Sequence, residues 1–429
     1  MAIFKKIYKG KSMKKSKSIQ IIKQQGIAEF IKYKKNKIYT KYEKKFNINI
    51  FTPYLLKFCK PLKDDYKFIL FSYGVSGHWA FKSFLKYCEL DDFVLYQNNY
   101  SYYKEYKNFN KKNYYIEIAW YQSMQPKYKH ISKILNKNKP VVILTRDPIS
   151  RLKTMVNHGS YKIEELGKNE LKNFYINEDI FENLDRISYT DKNGHNANLK
   201  KPDLSSIYFI VNEELSFSYF SNINLIKNKN ILYVDTKSIS KDNAFATIKT
   251  LAKELNFKEP NDNDEYKFKQ KFWNELYYLL PYRLIVNNDI LIIVSDENKV
   301  FLDNDKHYNE IKDDLIDIKK ELVNTKSKLF DKISINIENK NWTIIKDDKA
   351  LINDLREYFE KFMIILEKKA NERLENMVKE EDVLNYLKEH QDLGKKIKNI
   401  LDYELQHIKE HRPDIINSWE CYKKFLEIF

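Results

Sequence analysis

Ser72-Tyr73-Gly74-Val75-Ser76-Gly77-His78-Trp79, set directly after the apolar run Tyr66-Lys67-Phe68-Ile69-Leu70-Phe71, decides how this chain is read. Only 8 Gly occur in 429 residues, and two of them sit three apart here. A strand that breaks into a Gly-rich turn and then a helix aims backbone N–H groups and a helix N-terminus at a phosphate-like anion. A second stretch follows the same plan: strand-like Val141-Val142-Ile143-Leu144, then Arg146-Asp147-Pro148-Ile149-Ser150-Arg151. Of 76 basic residues only 7 are Arg, and two of those fall in this stretch. A chain that otherwise uses Lys places Arg here for its flat, forked guanidinium. Together the two stretches point to a nucleotide site.

Around them, residues 66 to about 258 alternate strand and helix. Strands are predicted at 66–71, 93–96, 114–119, 141–144 and 231–235. Helices are predicted through Phe81 and Leu85, near 128–136, through Leu152 and Met155, and through Ala246 to Leu255. Such interleaving predicts an α/β fold: a three-layer α/β/α core on a mostly parallel sheet, with ligands at the strand C-terminal ends. The polar segment 160–202 reads as an insertion or lid. Beyond Pro260 the expected elements are two strands, Leu284 to Val294 and Val300 to Leu302. A helical spacing of Leu315, Ile318 and Leu322 follows, then strand-like 333–337 and 342–345, and a helix through Leu355, Phe359, Phe362 and Leu366. Three regions result: a basic arm 1–63, a nucleotide-binding core 64–260, and a mainly helical accessory region 261–429.

Charge sharpens this division. Residues 1–63 hold 18 Lys against Glu29 and Glu43, so the whole net charge of +16 lies there and the rest is neutral as a set. A nucleic-acid binder would carry its charge on the folded body, so nucleic acid is not an expected partner. The arm either docks on the core or touches an anionic membrane surface through its Lys side chains. Cys59, Cys88 and Cys421 show neither metal-ligand spacing nor a disulfide framework. No apolar run reaches the roughly 18–20 residues of a membrane span. The expected location is the cytoplasm, with peripheral contact at the inner face of the membrane.

The two stretches resemble the sulfotransferase family, a P-loop fold that uses 3′-phosphoadenosine 5′-phosphosulfate as co-substrate. Residues 72–84 resemble its 5′-phosphosulfate loop and residues 141–154 its 3′-phosphate motif, and the resemblance spans 66–255. It implies that Tyr73, Gly74, Ser76, Gly77, His78 and Trp79 hold the 5′ end. Arg146 and, eight residues on, Thr154 would hold the 3′-phosphate, with no metal required. The strand and helix from Ile231 to Leu255 resemble a third family element. The departures are Val75, where the family places a Lys or Arg, and His78, where it places a hydroxyl. His78 or Lys82 would then supply the cation for the transferred group, and Glu117 is the carboxylate nearest the family's catalytic base. His130 and His158 are further candidates. Asp147-Pro148 is a helix start in its own right, and Arg151 is left open between structure and function.

The acceptor implied is a hydroxyl of a glycan or glycan precursor. Over most of its length the chain is also similar to a group of uncharacterised bacterial proteins labelled sugar transferases. On that alternative Asp303-Asn304-Asp305, after the strand-like Val300-Phe301-Leu302, would hold a metal and a nucleotide sugar. A third alternative is a non-catalytic nucleotide-binding scaffold, since Val75 removes the cation that transfer requires.

Overall fold

A computed structural model describes residues 61–95, 106, 109–120, 134–161, 172–212, 217–226, 230–269, 274–287, 289–296, 314–324 and 327–429. The basic arm up to residue 60, His130 and the Asp303-Asn304-Asp305 triplet lie outside the described residues. All elements below belong to one compact unit of Lys63–Gln97, Phe109–Gln125 and Asn136–Phe429.

In chain order, β1 (Ile69–Tyr73), α1 (His78–Tyr87), β2 (Asp91–Leu95), β3 (Tyr114–Trp120), β4 (Val141–Thr145) and α2 (Pro148–Val156) come first. Next are β5 (Ser160–Tyr161), β6 (Phe174–Tyr175), β7 (Ile187–Asp191), β8 (Gly194–Leu199), α3 (Ser206–Asn212) and α4 (Tyr219–Ile226). Then follow β9 (Ile231–Asp235), α5 (Ala244–Leu255), β10 (Tyr282–Val286), β11 (Ile290–Asp296), β12 (Leu315–Asp317) and β13 (Ile333–Glu338). The principal C-terminal helices are α6 (Lys349–Glu375), α7 (Glu380–Glu389), α8 (Gln391–Glu404), α9 (Gln406–His411) and α10 (Glu420–Ile428).

The fold is mixed α/β. Its first sheet has the order β2-β3-β1-β4-β9, with every pair parallel. β1 lies at the centre, where Ile69 is level with Ile116 on one side and Val141 on the other. All five residues of β1 and of β4 are buried, which explains why both read as unbroken apolar runs rather than as alternation. On one face Phe68, Leu70, Tyr115, Val142 and Val234 pack against Phe81, Phe84 and Leu85 of α1 and Ile248, Leu251 and Leu255 of α5. Each large side chain so buried contributes about 1.5–3 kcal/mol of transfer free energy. Because every crossover is parallel, the turns after β1, β4 and β9 open at the same edge of the sheet.

A second sheet, β12-β13-β11-β10-β6, is mainly antiparallel and packs on Leu355, Phe359, Phe362 and Leu366 of α6. Phe174 and Ile180, from the segment expected to be an insertion, belong to this same core. Described residues of that segment also form a small sheet, β5-β7-β8. Three local expectations are corrected. The hairpin turns at Asn287, whose φ is 47°, so Leu284 to Val294 is two strands rather than one; Val300 to Leu302 lies outside the described residues. Leu315 to Asp317 is an edge strand followed by a short helix at Lys319–Leu322. Asn339–Ile345 is helical although Thr343, Ile344 and Ile345 are β-branched, and Ile345 alone is buried there.

Candidate functional site

The loop between β1 and α1 is shaped by two residues with positive φ, Val75 at 53° and Gly77 at 78°. Ser76 donates its N–H to the Tyr73 carbonyl at 3.2 Å, closing the turn. A Cβ on Gly77 would lie 3.0 Å from Ile239 Cδ1 and 3.2 Å from Thr236 Cγ2, whereas one on Gly74 would meet nothing within 4 Å. Gly77 is therefore required by the fold, and Gly74 faces open space.

Two arginines fix the loop's carbonyl oxygens. Arg146 Nη1 donates to Val75 O at 2.7 Å, and Arg151 Nε donates to Gly74 O at 3.1 Å. In a planar trans peptide the carbonyl and the following N–H point opposite ways, so holding Gly74 O turns the Val75 N–H away from Arg151. α1 then begins at His78 with Gly77 as its N-cap, no capping side chain and no acid in its first turn. Its N-terminal partial positive charge is left unneutralised by the helix itself.

Arg151, left open by the sequence, is fully buried. Its guanidinium lies 5.4 Å from the Tyr73 ring centroid and 5.1 Å from that of Phe217, and burial pulls its pKa down. Tyr73 is anchored in turn, donating to Ser218 O at 3.2 Å and accepting from Asn222 Nδ2 at 3.0 Å. Arg151 is thus a structural brace for the loop.

Asp147 is structural as expected, and does more than start α2. Its Oδ1 accepts from Ile149 N at 2.9 Å and Ser150 N at 3.3 Å, capping α2 ahead of Pro148. Its Oδ2 accepts from Cys421 N at 3.0 Å and Tyr422 N at 3.1 Å, at the start of α10. One carboxylate joins two helix N-termini. Nearby, Asp235 Oδ2 accepts from Thr145 Oγ1 at 3.2 Å and Trp419 Nε1 at 2.9 Å. The ends of β4 and β9 are therefore linked to the last helix of the chain.

On α2, Thr154 donates its hydroxyl to Ser150 O at 2.8 Å, one turn back, which leaves its lone pairs as acceptors. Ser150 and Lys153, not singled out by sequence, both engage Glu380 at the start of α7, each at 3.1 Å.

Lys82, Glu117, Asp92 and Ser72 form a separate cluster beside α1. Lys82 Nζ lies 2.8 Å from Asp92 and 2.7 Å from Glu117, and Ser72 Oγ donates to Glu117 at 2.6 Å. Burial would lower the Lys82 pKa, but the two carboxylates outweigh it and raise the value. The Trp79 ring covers Lys82, with its centroid 5.5 Å from Nζ, and is itself 39% exposed. Lys82 and Glu117 are thus brought together, but Lys82 is aimed at carboxylates rather than into the loop. His78 is buried; desolvation first, then Lys82, His158 and Arg151, push its pKa down to about 3. It is neutral at physiological pH and supplies no cation. His158, close enough to act on His78, has its Nδ1 3.3 Å from Tyr278 Oη.

Among the described residues no three His, Cys, Asp or Glu side chains are grouped to hold a metal, and no helix is long and apolar enough to cross a membrane. Residues 233–429 match a family described as a protein of unknown function (DUF2972). The match begins inside β9 and takes in Asp235, Glu380 and Trp419, while both loops lie ahead of it. No curated protein and no solved structure matches the chain.

Proposed function

We propose that this chain is a transferase of sulfotransferase type, moving a sulfuryl group from 3′-phosphoadenosine 5′-phosphosulfate to a hydroxyl of a glycan or glycan precursor. One observation carries the reading: Arg146 and Arg151 hold the carbonyls of Val75 and Gly74 at the uncapped N-terminus of α1. A loop whose oxygens are tied back and whose open side is lined by glycine and N–H groups favours a phosphate-like anion. In the reaction the acceptor oxygen attacks sulfur, the bond from sulfur to the phosphate oxygen breaks, and adenosine 3′,5′-bisphosphate leaves. The acceptor proton would go to Glu117, the base that the resemblance implies, which must first give up its buried contacts with Ser72 and Lys82.

Calorimetry of the full chain with adenosine 3′,5′-bisphosphate tests the reading. Saturable binding, weakened by Gly74→Ala, is the expected result. A folded protein that binds no nucleotide at millimolar concentration would sink it.

A nucleotide-binding scaffold is the second reading, and the pairing of Lys82 with Asp92 and Glu117 favours it, because Lys82 is then not directed at the transferred group. Val75→Lys discriminates between them. Product bisphosphate formed from the phosphosulfate only in the variant marks a degenerate enzyme; binding without turnover in both proteins supports the scaffold.

A further inference from the structure

Side chains of α2 converge on one carboxylate from the C-terminal region. Ser150 Oγ donates to Glu380 Oε1 at 3.1 Å, and Lys153 Nζ stands 3.1 Å from the same oxygen. Arg146, ahead of the same helix, is near enough for Glu380 to favour its charged form. The backbone beside Glu380 is pinned: Asn157 accepts from Val378 N at 2.9 Å and donates to Val378 O at 2.8 Å. The Glu380 side chain can therefore leave its partners by rotation while the chain that carries it stays docked. A hydroxyl and an ammonium on one oxygen, with a guanidinium close by, form a donor set that serves a phosphate oxygen as well as a carboxylate.

We propose that Glu380 is a built-in competitor for a nucleotide 3′-phosphate, occupying on Ser150 and Lys153 the place that such a phosphate would take. The inference rests on the nucleotide reading above and deepens it, since it says how this site weighs a 3′-phosphate. A 3′,5′-bisphosphate must displace the carboxylate, whereas a 5′-monophosphate leaves it in place. Affinity for the bisphosphate is held down as a result, and a bisphosphate product departs readily. The contact joins α7, within the C-terminal region, to the helix behind the second loop. It gives that region a direct part in nucleotide selection.

The test uses the full chain, adenosine 3′,5′-bisphosphate and adenosine 5′-monophosphate, with affinities from calorimetry and folding monitored by melting temperature. Glu380→Gln should bind the bisphosphate at least tenfold more tightly and the monophosphate within twofold of the parent. Glu380→Asp, which keeps the charge but draws it back from Ser150, should fall between. If the Gln variant does not fold, the Asp variant decides, and it must tighten bisphosphate binding at least threefold. When both nucleotides bind the parent protein but Glu380→Gln changes neither, or changes both alike, the competitor role is overturned and the nucleotide reading stands. When neither nucleotide binds any of the proteins, the nucleotide reading falls and this inference falls with it.

Discussion

Replacing the two loop glycines by alanine, one at a time, separates what the loop needs to fold from what it needs to bind. Gly77 sits at φ 78°, where a side chain costs about 1–2 kcal/mol. Its new methyl would also press on Ile239 Cδ1 at 3.0 Å and Thr236 Cγ2 at 3.2 Å. Alanine narrows the unfolded ensemble and returns about 0.4–1 kcal/mol. Contact strain roughly offsets that gain, so the net loss for Gly77→Ala is about 1–2 kcal/mol. Gly74 has no positive φ, and its added Cβ meets nothing within 4 Å. Gly74→Ala should therefore leave stability unchanged or raise it by up to about 1 kcal/mol. On the proposed nucleotide reading the same methyl would stand where phosphate oxygens approach the loop, so nucleotide affinity should fall about tenfold, or roughly 1.4 kcal/mol. Urea denaturation reads the first effect and calorimetry the second. The reasoning is refuted if both variants lose equal stability, or if Gly74→Ala binds as tightly as a parent protein that does bind.

Four further outcomes are expected. Asp147→Asn keeps one acceptor oxygen for two helix N-termini and turns an NH2 towards backbone donors, so unfolding free energy should drop by about 2–4 kcal/mol; a loss below about 0.5 kcal/mol would deny the double cap. Lys82→Met strands Glu117 and Asp92 and should cost about 3–5 kcal/mol, with much of the loss recovered in the Lys82→Met, Glu117→Gln double variant; no recovery would show that the three charges do not act as a unit. His78, with a folded pKa of about 3 against an ordinary 6.5, stays neutral while the unfolded chain takes up a proton, so its contribution is full above pH 6.5 and is lost as pH falls towards 3, by up to about 1.4 kcal/mol per unit. An NMR titration that shows His78 protonating near pH 6.5 would contradict this. Arg146→Lys loses the Nη1–H that holds Val75 O and should weaken 5′-monophosphate and 3′,5′-bisphosphate together; loss confined to the bisphosphate would show that Arg146 acts only on the 3′-phosphate.

How much of this was legible in the sequence depended on whether the deciding interactions were local. β1 and β4 were readable because strands buried on both faces leave a continuous apolar signal, and Asp147-Pro148 because a helix start is written in adjacent residues. Gly77 was visible as one of few glycines at a strand-to-helix turn. The roles of the charged residues were not. Ser72, Lys82, Asp92 and Glu117 meet only once β1 lies between β3 and β4 and α1 folds back over the sheet, a register no spacing encodes. Arg151 became a brace, rather than a ligand contact, because Tyr73 and Phe217 close around it. Glu380 lies more than two hundred residues beyond Ser150 and Lys153. Their meeting is set by the packing of the C-terminal helices on α2. The sequence determined the parallel α/β core and the place of its loops, because hydrophobic periodicity and turn chemistry act over a few residues. Tertiary structure decided which charges face one another and which face open space, because such pairings follow from the docking of distant elements.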